Sequence, residues 1–253
     1  MTNFTGLNNL DYITEGFLVS ATNLDNFTGL ESLKQIGTDD EFSTSFSSID
    51  SNVEDFTGLD SLQKWYGHVD VHFVDISNFQ GLDLLHEIGE LNLSDCDSLI
   101  NFEGLNSLTK AKIIRVTNCS NFSNSSGISA LDTIEELEFS DLPMFSSFEG
   151  FTSLTDIDYL SIDRCDVLSS LSGLQSVQSI GSSLFISYNP LLSSIDSLKY
   201  ADMSELNQLR IHNNPLLEVC SIDGVCNYLD NDIGFFSIYS NGIGCNGSTE
   251  IEY

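Results

Sequence analysis

The sequence predicts a mainly β protein, a right-handed parallel solenoid of about nine or ten coils, closed by a C-terminal cap of disulfide type. Three observations predict it: a glycine recurring at near-constant spacing, apolar columns in register with that glycine, and a short alternating apolar run in each unit. Gly6, Gly29, Gly58, Gly81, Gly104, Gly127, Gly150 and Gly173 stand 23, 29, 23, 23, 23, 23 and 23 residues apart, and Ser197 follows after 24. A fixed period of this length marks stacked supersecondary units, none of which can bury its apolar face alone. The one long interval implies an insertion of about six residues, most simply within "GTDDEFSTSF" at 37–46.

Within each unit the phrase around the glycine comes first, as in "DNFTGLESL" at 25–33 and "EDFTGLDSL" at 54–62. Phe27, Leu30 and Leu33 each belong to a column that begins at Phe4, Leu7 and Leu10 and recurs in the following coils, so the phrase is scaffold and not a site. The glycine is expected at a tight turn with positive φ or close coil contact. Trp65 falls in the isoleucine column seven residues after the glycine, which assigns it to the core. Next come the strands, "LNL" at 91–93, "IRV" at 114–116, "LEF" at 137–139, "LSI" at 160–162, "LFI" at 184–186 and "LRI" at 209–211. Period-two alternation puts their flanking apolar residues inward and the residues between them outward. A turn position then follows, occupied by Cys96, Cys119 and Cys165, by Ala21, Asp50, Phe73 and Leu142, and by Asn189 and Asn214. The reading divides the chain into a repeat region, 1–217, and a capping segment, 218–253.

These residues resemble the leucine-rich repeat, on "IDYLSIDRCDVLSSLSGLQSV", and more closely the receptor L-domain, on "LQSVQSIGSSLFISYNPLLSSIDSL". The tail "NNPLLEVCSIDGVCNYL" with "SIYSNGIGCN" is similar to the closing segment of secreted L-domain-like proteins of marine Bacteroidetes. The resemblance implies an extracellular or cell-surface location. It is specific for fold and not for function, because solenoids of this type bind many unrelated ligands. The N-terminal "MTNFTGLNNL" carries neither the basic nor the apolar region of an export signal.

The six cysteines fall in two groups. Cys96 and Cys119 lie one coil apart, close enough for a disulfide, although a ladder of buried thiols satisfies the same spacing. Cys165 lies two coils further on and reaches neither. In the cap, a bridge from Cys245 to Cys226 or to Cys220 would pin the last strand over the core end, in keeping with export.

Thirty-eight acidic residues oppose 8 basic ones, a formal net charge of −30. Such a field disfavours nucleic acid and anionic lipid as partners, and no run of 18 apolar residues suggests membrane insertion. Asp95/Asp97, Asp156/Asp158 and Asp163/Asp166 offer oxygens for Ca²⁺ between coils, but not at one repeating register. No cofactor is otherwise expected. His68, His72, His86 and His212 read as isolated surface histidines, and no nucleophile pair, phosphate loop or zinc-protease motif occurs. The chain therefore reads as a non-enzyme.

The surface that varies while the scaffold repeats is the outer strand face. Arg115, Tyr159, Arg164, Phe185, Tyr188, Arg210 and His212 lie on or beside it, and aromatic residues with arginine favour binding hot spots. The expected function is recognition or adhesion, with a protein or glycan on the sheet face. The alternative is a structural protein that self-associates end to end through its first coil, into a filament or surface layer.

Overall fold

The computed structural model describes residues 3–22, 24–38, 46–51, 53–72, 75–231 and 234–251. Their strands are β1 (Tyr12–Ile13), β2 (Leu18–Thr22), β3 (Gln35–Ile36), β4 (Phe46–Ser51), β5 (Lys64–His72) and β6 (Glu87–Ser94). Then follow β7 (Lys110–Thr117), β8 (Thr133–Ser140), β9 (Asp156–Asp163), β10 (Ser179–Ser187), β11 (Gln208–His212) and β12 (Phe235–Tyr239). All twelve belong to one sheet, every pairing is parallel, and about nine turns of solenoid result.

From β5 onward each coil contributes one strand. The first two coils contribute two short strands each: β1 and β3 lead to the start of β5, while β2 and β4 lead to its later half. The expected insertion falls between β3 and β4, and its residues 39–45 lie outside the described ones, as does Phe73 of the turn column.

Register follows the repeat. Leu91, Ile114, Leu137, Leu160, Leu184 and Leu209 pair in one row, and Leu93, Val116, Phe139, Ile162, Ile186 and Ile211 in another. Both rows are buried. Parallel strands about 4.8 Å apart put like side chains against like, so each column becomes a continuous strip of core.

The phrase around the glycine builds the opposite side of each coil. Phe4, Phe27, Phe56 and Phe79 stack with ring centroids 5.6–6.1 Å apart. Backbone bonds run from coil to coil beneath the rings, Phe27 N–H to the Thr57 carbonyl at 2.9 Å and Phe56 N–H to that of Gln80 at 2.8 Å. The polar letters are structural as well: Asn26, Asp55, Asn78, Asn101 and Asn124 each accept the N–H two residues ahead at 2.8–3.0 Å. Gly104, at φ +106°, has no room for a side chain, since a Cβ would sit 2.3 Å from the Phe79 carbonyl. Where the phenylalanine column lapses at buried Ser125, Phe139, Phe145 and Phe151 pack around Phe102, Phe122 and Phe148. Trp65 is buried as its register required, edge-on to Phe56.

The turn column closes the strands. Asn189 Nδ2 donates to the carbonyls of Ile162 and Ser187, at 3.1 and 3.0 Å, and its Oδ1 accepts the Cys165 N–H at 2.9 Å. Asn214 repeats this one coil on, and Asn241 extends the ladder. Immediately before it runs a column of left-handed residues, Asp95, Asn118, Asp141, Arg164, Tyr188, Asn213 and Ser240, with φ of 49–58°.

Cys96 and Cys119 are buried thiols that no disulfide joins. Each Sγ donates to a strand-end carbonyl, of Ser94 and Thr117 respectively, both at 3.4 Å. Here the thiol performs the role the asparagine amide takes later, which explains the shared column. The bond to Cys96 also holds the Cys119 thiol below its ordinary pKa. Of the two pairings open in the cap, the disulfide joins Cys220 to Cys245, with Cα atoms 5.9 Å apart. Cys226 is a buried thiol outside the disulfide, on α1 (Asp223–Asn231), and burial raises its pKa.

The segment after 217 both caps and repeats. Helix α1 covers the core with Val225, Cys226 and Tyr228, whose hydroxyl reaches the carbonyls of Asn207 and Phe235. β12 then pairs with β11 in register and buries Ile238.

Candidate recognition surface on the outer sheet face

Outward side chains form three rows across the sheet. The first contains Glu90, Ile113, Glu136, Tyr159, Ser183, Gln208 and Phe235. The second contains Asn92, Arg115, Glu138, Ser161, Phe185, Arg210 and Ser237, and the third Ser94, Thr117, Ser140, Asp163, Ser187, His212 and Tyr239. The composition changes along the rod: carboxylates gather on β6–β8 and rings on β9–β12.

Five of the seven residues singled out from sequence come together at the ring end. Tyr159 meets Phe185 edge to face, with centroids 5.3 Å apart. The Arg210 guanidinium lies between two rings, 4.7 Å from the Phe185 centroid and 5.6 Å from that of Phe235. His212 stacks on Tyr239 at 4.8 Å and meets Tyr188 at 5.6 Å. It is thus no isolated histidine, and burial among these rings pushes its pKa down. Burial likewise raises the Tyr159 phenol pKa. Phe235 and Tyr239, absent from the sequence-based set, complete the cluster.

Arg115 and Arg164 stand apart, with their charges engaged. Arg115 donates to both carboxylate oxygens of Glu136, at 2.6 and 2.8 Å, and to Asn92 at 3.1 Å, with Glu90 and Glu138 each 3.7 Å away. Arg164 pairs with Asp141 at 2.5 Å and Asp163 at 2.7 Å. Arg210 differs: among the described residues it makes no ion pair within 4 Å, and its guanidinium donates to neutral Gln208 at 3.1 Å. Stacking on two aromatic faces holds the charge there. Of the three arginines Arg210 is the one that meets no carboxylate within 4 Å among the described residues.

A groove of about 750 Å³ runs beside the ring cluster, across β5–β10. It opens where the ladder is interrupted, with register shifts between Trp65 and His68 and between Ile180 and Ser183. Ala111 and Ile134 lie in its floor, while Lys110, Lys112, Glu135 and Asp158 line it. Groove and cluster meet at β9, where Asp158 of the one precedes Tyr159 of the other.

Five of the six aspartates weighed as calcium ligands are engaged with neighbouring coils, Asp163 through Ser187 at 2.6 Å. Asp95 accepts from Asn118, Asp97 from the Ser120 N–H, Asp156 from Ser179 and Asp158 from Ser182. Among the described residues no group of three or more His, Cys, Asp or Glu is placed to hold a metal ion. No helix there is long and apolar enough to cross a membrane.

No protein-family model matches the chain, and no curated protein matches it.

Proposed function

We propose that this protein is a non-catalytic recognition module of the leucine-rich-repeat or receptor L-domain type, acting outside the cell or at its surface. Its ligand, a glycan or the surface of another protein, docks on the ring end of the outer sheet face. One observation carries the reading: Tyr159, Phe185, Tyr188, Arg210, His212, Phe235 and Tyr239 cluster on outward positions, where the scaffold requires no aromatic residue. On the earlier coils the same rows hold Asn92, Arg115, Glu138 and Thr117 with equal backbone regularity.

The chemistry favours a glycan. Ring faces offer flat apolar area to the C–H face of a sugar, and the polar edges of tyrosine and histidine reach its hydroxyls. Ser187, Gln208 and Ser237 surround the rings with hydrogen-bonding groups, while Asp163 adds an acceptor and Arg210 a donor. The disulfide accords with an oxidising compartment.

A glycan array probed with the labelled chain tests this, with Phe185→Ala beside the wild type. The wild type should bind a restricted set of oligosaccharides, and the variant should lose at least about tenfold in affinity while keeping its melting temperature. Absence of binding on the array and in pull-downs, or binding indifferent to the substitution, would sink the reading.

A further inference from the structure

The corner after each strand carries a second surface, unrelated to the ring cluster. Its second turn residue, two positions beyond the turn column, is Ser98, Asn121, Met144, Val167, Leu191 and Leu216 in successive coils. The side chain there faces outward, so nothing in the fold demands an apolar one. Met144, Val167, Leu191 and Leu216 are nonetheless 53%, 38%, 46% and 50% exposed. The asparagine ladder keeps these corners aligned, which makes the four side chains a straight ridge with the repeat of the strands, about 4.8 Å. Ile243, two residues beyond Asn241 and 86% exposed, extends it.

Two further features suit the ridge to burial. All three prolines of the chain, Pro143, Pro190 and Pro215, occupy the first turn residue of these corners. Proline has no backbone N–H, so covering the ridge leaves no donor unpaired at those positions. In the polar corners the matching N–H of Ser120 is present and is bonded to Asp97 at 3.1 Å, and Asn121 donates to the Asp97 carbonyl at 2.7 Å. The ridge is also nearly uncharged: across 143–147, 166–170, 190–194 and 215–219 only Asp166 and Glu218 carry charge.

We propose that two copies of this chain associate side by side through the ridge, about a two-fold axis near Val167 and Leu191. A partner must present apolar side chains at the same interval along a straight line, and an antiparallel second ridge does so by symmetry. Two molecules of net charge −30 repel at long range, so contact is least opposed where charge is lowest. A stripe one side chain wide belongs to the small interfaces, below about 1,200 Å² in total, and the dimer is therefore reversible.

The electrostatics give the dimer a signature. Salt screens the repulsion and strengthens apolar contact, so association tightens with ionic strength. Sedimentation velocity on the full chain, from low micromolar to submillimolar concentration, should show a monomer–dimer equilibrium. Its dissociation constant should fall at least about tenfold between roughly 0.05 M and 1 M NaCl. Leu191→Asp sets like charges near the axis and should weaken association by at least about tenfold with unchanged thermal unfolding. Ser153→Asp, the same charge change on a different exposed turn, should leave it unaltered. A monomer at every concentration in both salts overturns the proposal, as does association indifferent to Leu191→Asp. An open-ended series of larger species also overturns it, because that would signal head-to-tail stacking.

Discussion

Gly104 and Gly6 hold the same register, with φ of +106° and +108°, yet their surroundings differ. A Cβ at Gly104 would meet the Phe79 carbonyl carbon and oxygen at 2.3 Å, whereas one at Gly6 would meet nothing within 4 Å. The first substitution combines backbone strain with a clash that coil separation alone relieves; the second carries only the strain. Gly104→Ala is expected to cost about 3 kcal/mol or more, and Gly6→Ala about 1 kcal/mol, as read by urea unfolding. Equal losses would show that φ, and not coil contact, selects the glycine. Sequence alone exposed the glycine column because a fixed period survives any choice of neighbours. It did not expose why Asn or Asp precedes the phenylalanine. That reason is a local bond donated by the Thr28 N–H to Asn26 Oδ1, repeated at Asp55, Asn78, Asn101 and Asn124.

At the scale of the strands, alternation correctly sorted inward from outward residues from "LNL" through "LRI", because a parallel stack fixes which face each residue takes. Tyr159, Phe185 and Arg210 were therefore legible as surface residues. Phe235 and Tyr239 were not, since α1 lengthens the last interval: Tyr239 pairs with His212, 27 positions earlier, and the 23-residue ruler no longer points to it. Nor could the repeat reveal that Arg115 and Arg164 face carboxylates on neighbouring strands. The acidic half of the face is electrostatically costly. Glu138 has a pKa raised by burial and then by Glu136, only partly countered by Arg115. A folded-state pKa above the unfolded one favours folding most below the unfolded value, and that contribution is lost as pH rises through the folded one. Glu138→Gln should accordingly raise the melting temperature at pH 7 and leave it unchanged near pH 3. A lower melting temperature at neutral pH would mean that the attraction of Arg115 outweighs the burial.

For the whole molecule, stability is close to a sum over coils and their interfaces, so the end matters as much as the middle. Cys220–Cys245 closes a sequence separation of 25 residues beneath α1 and β12, a constraint worth about 3 kcal/mol in the chain-entropy account. Cys220→Ser with Cys245→Ser should lower stability by about that amount and release hydrogen exchange first in β12. Unchanged stability would place the capping in Val225 and Tyr228 alone. The fold was legible as a whole because repetition amplifies a weak pattern, whereas the ring cluster was legible only in part because it lies where the repeat stops constraining residues. In the function proposed, ligand sits on the ring end of the sheet. Hydrogen–deuterium exchange of the wild type, saturated with the strongest oligosaccharide from the array, tests it most directly. Protection is expected in 183–188, 208–212 and 235–239 with β6 and β7 unaffected; protection confined to the early coils would rule out a ligand on the ring end.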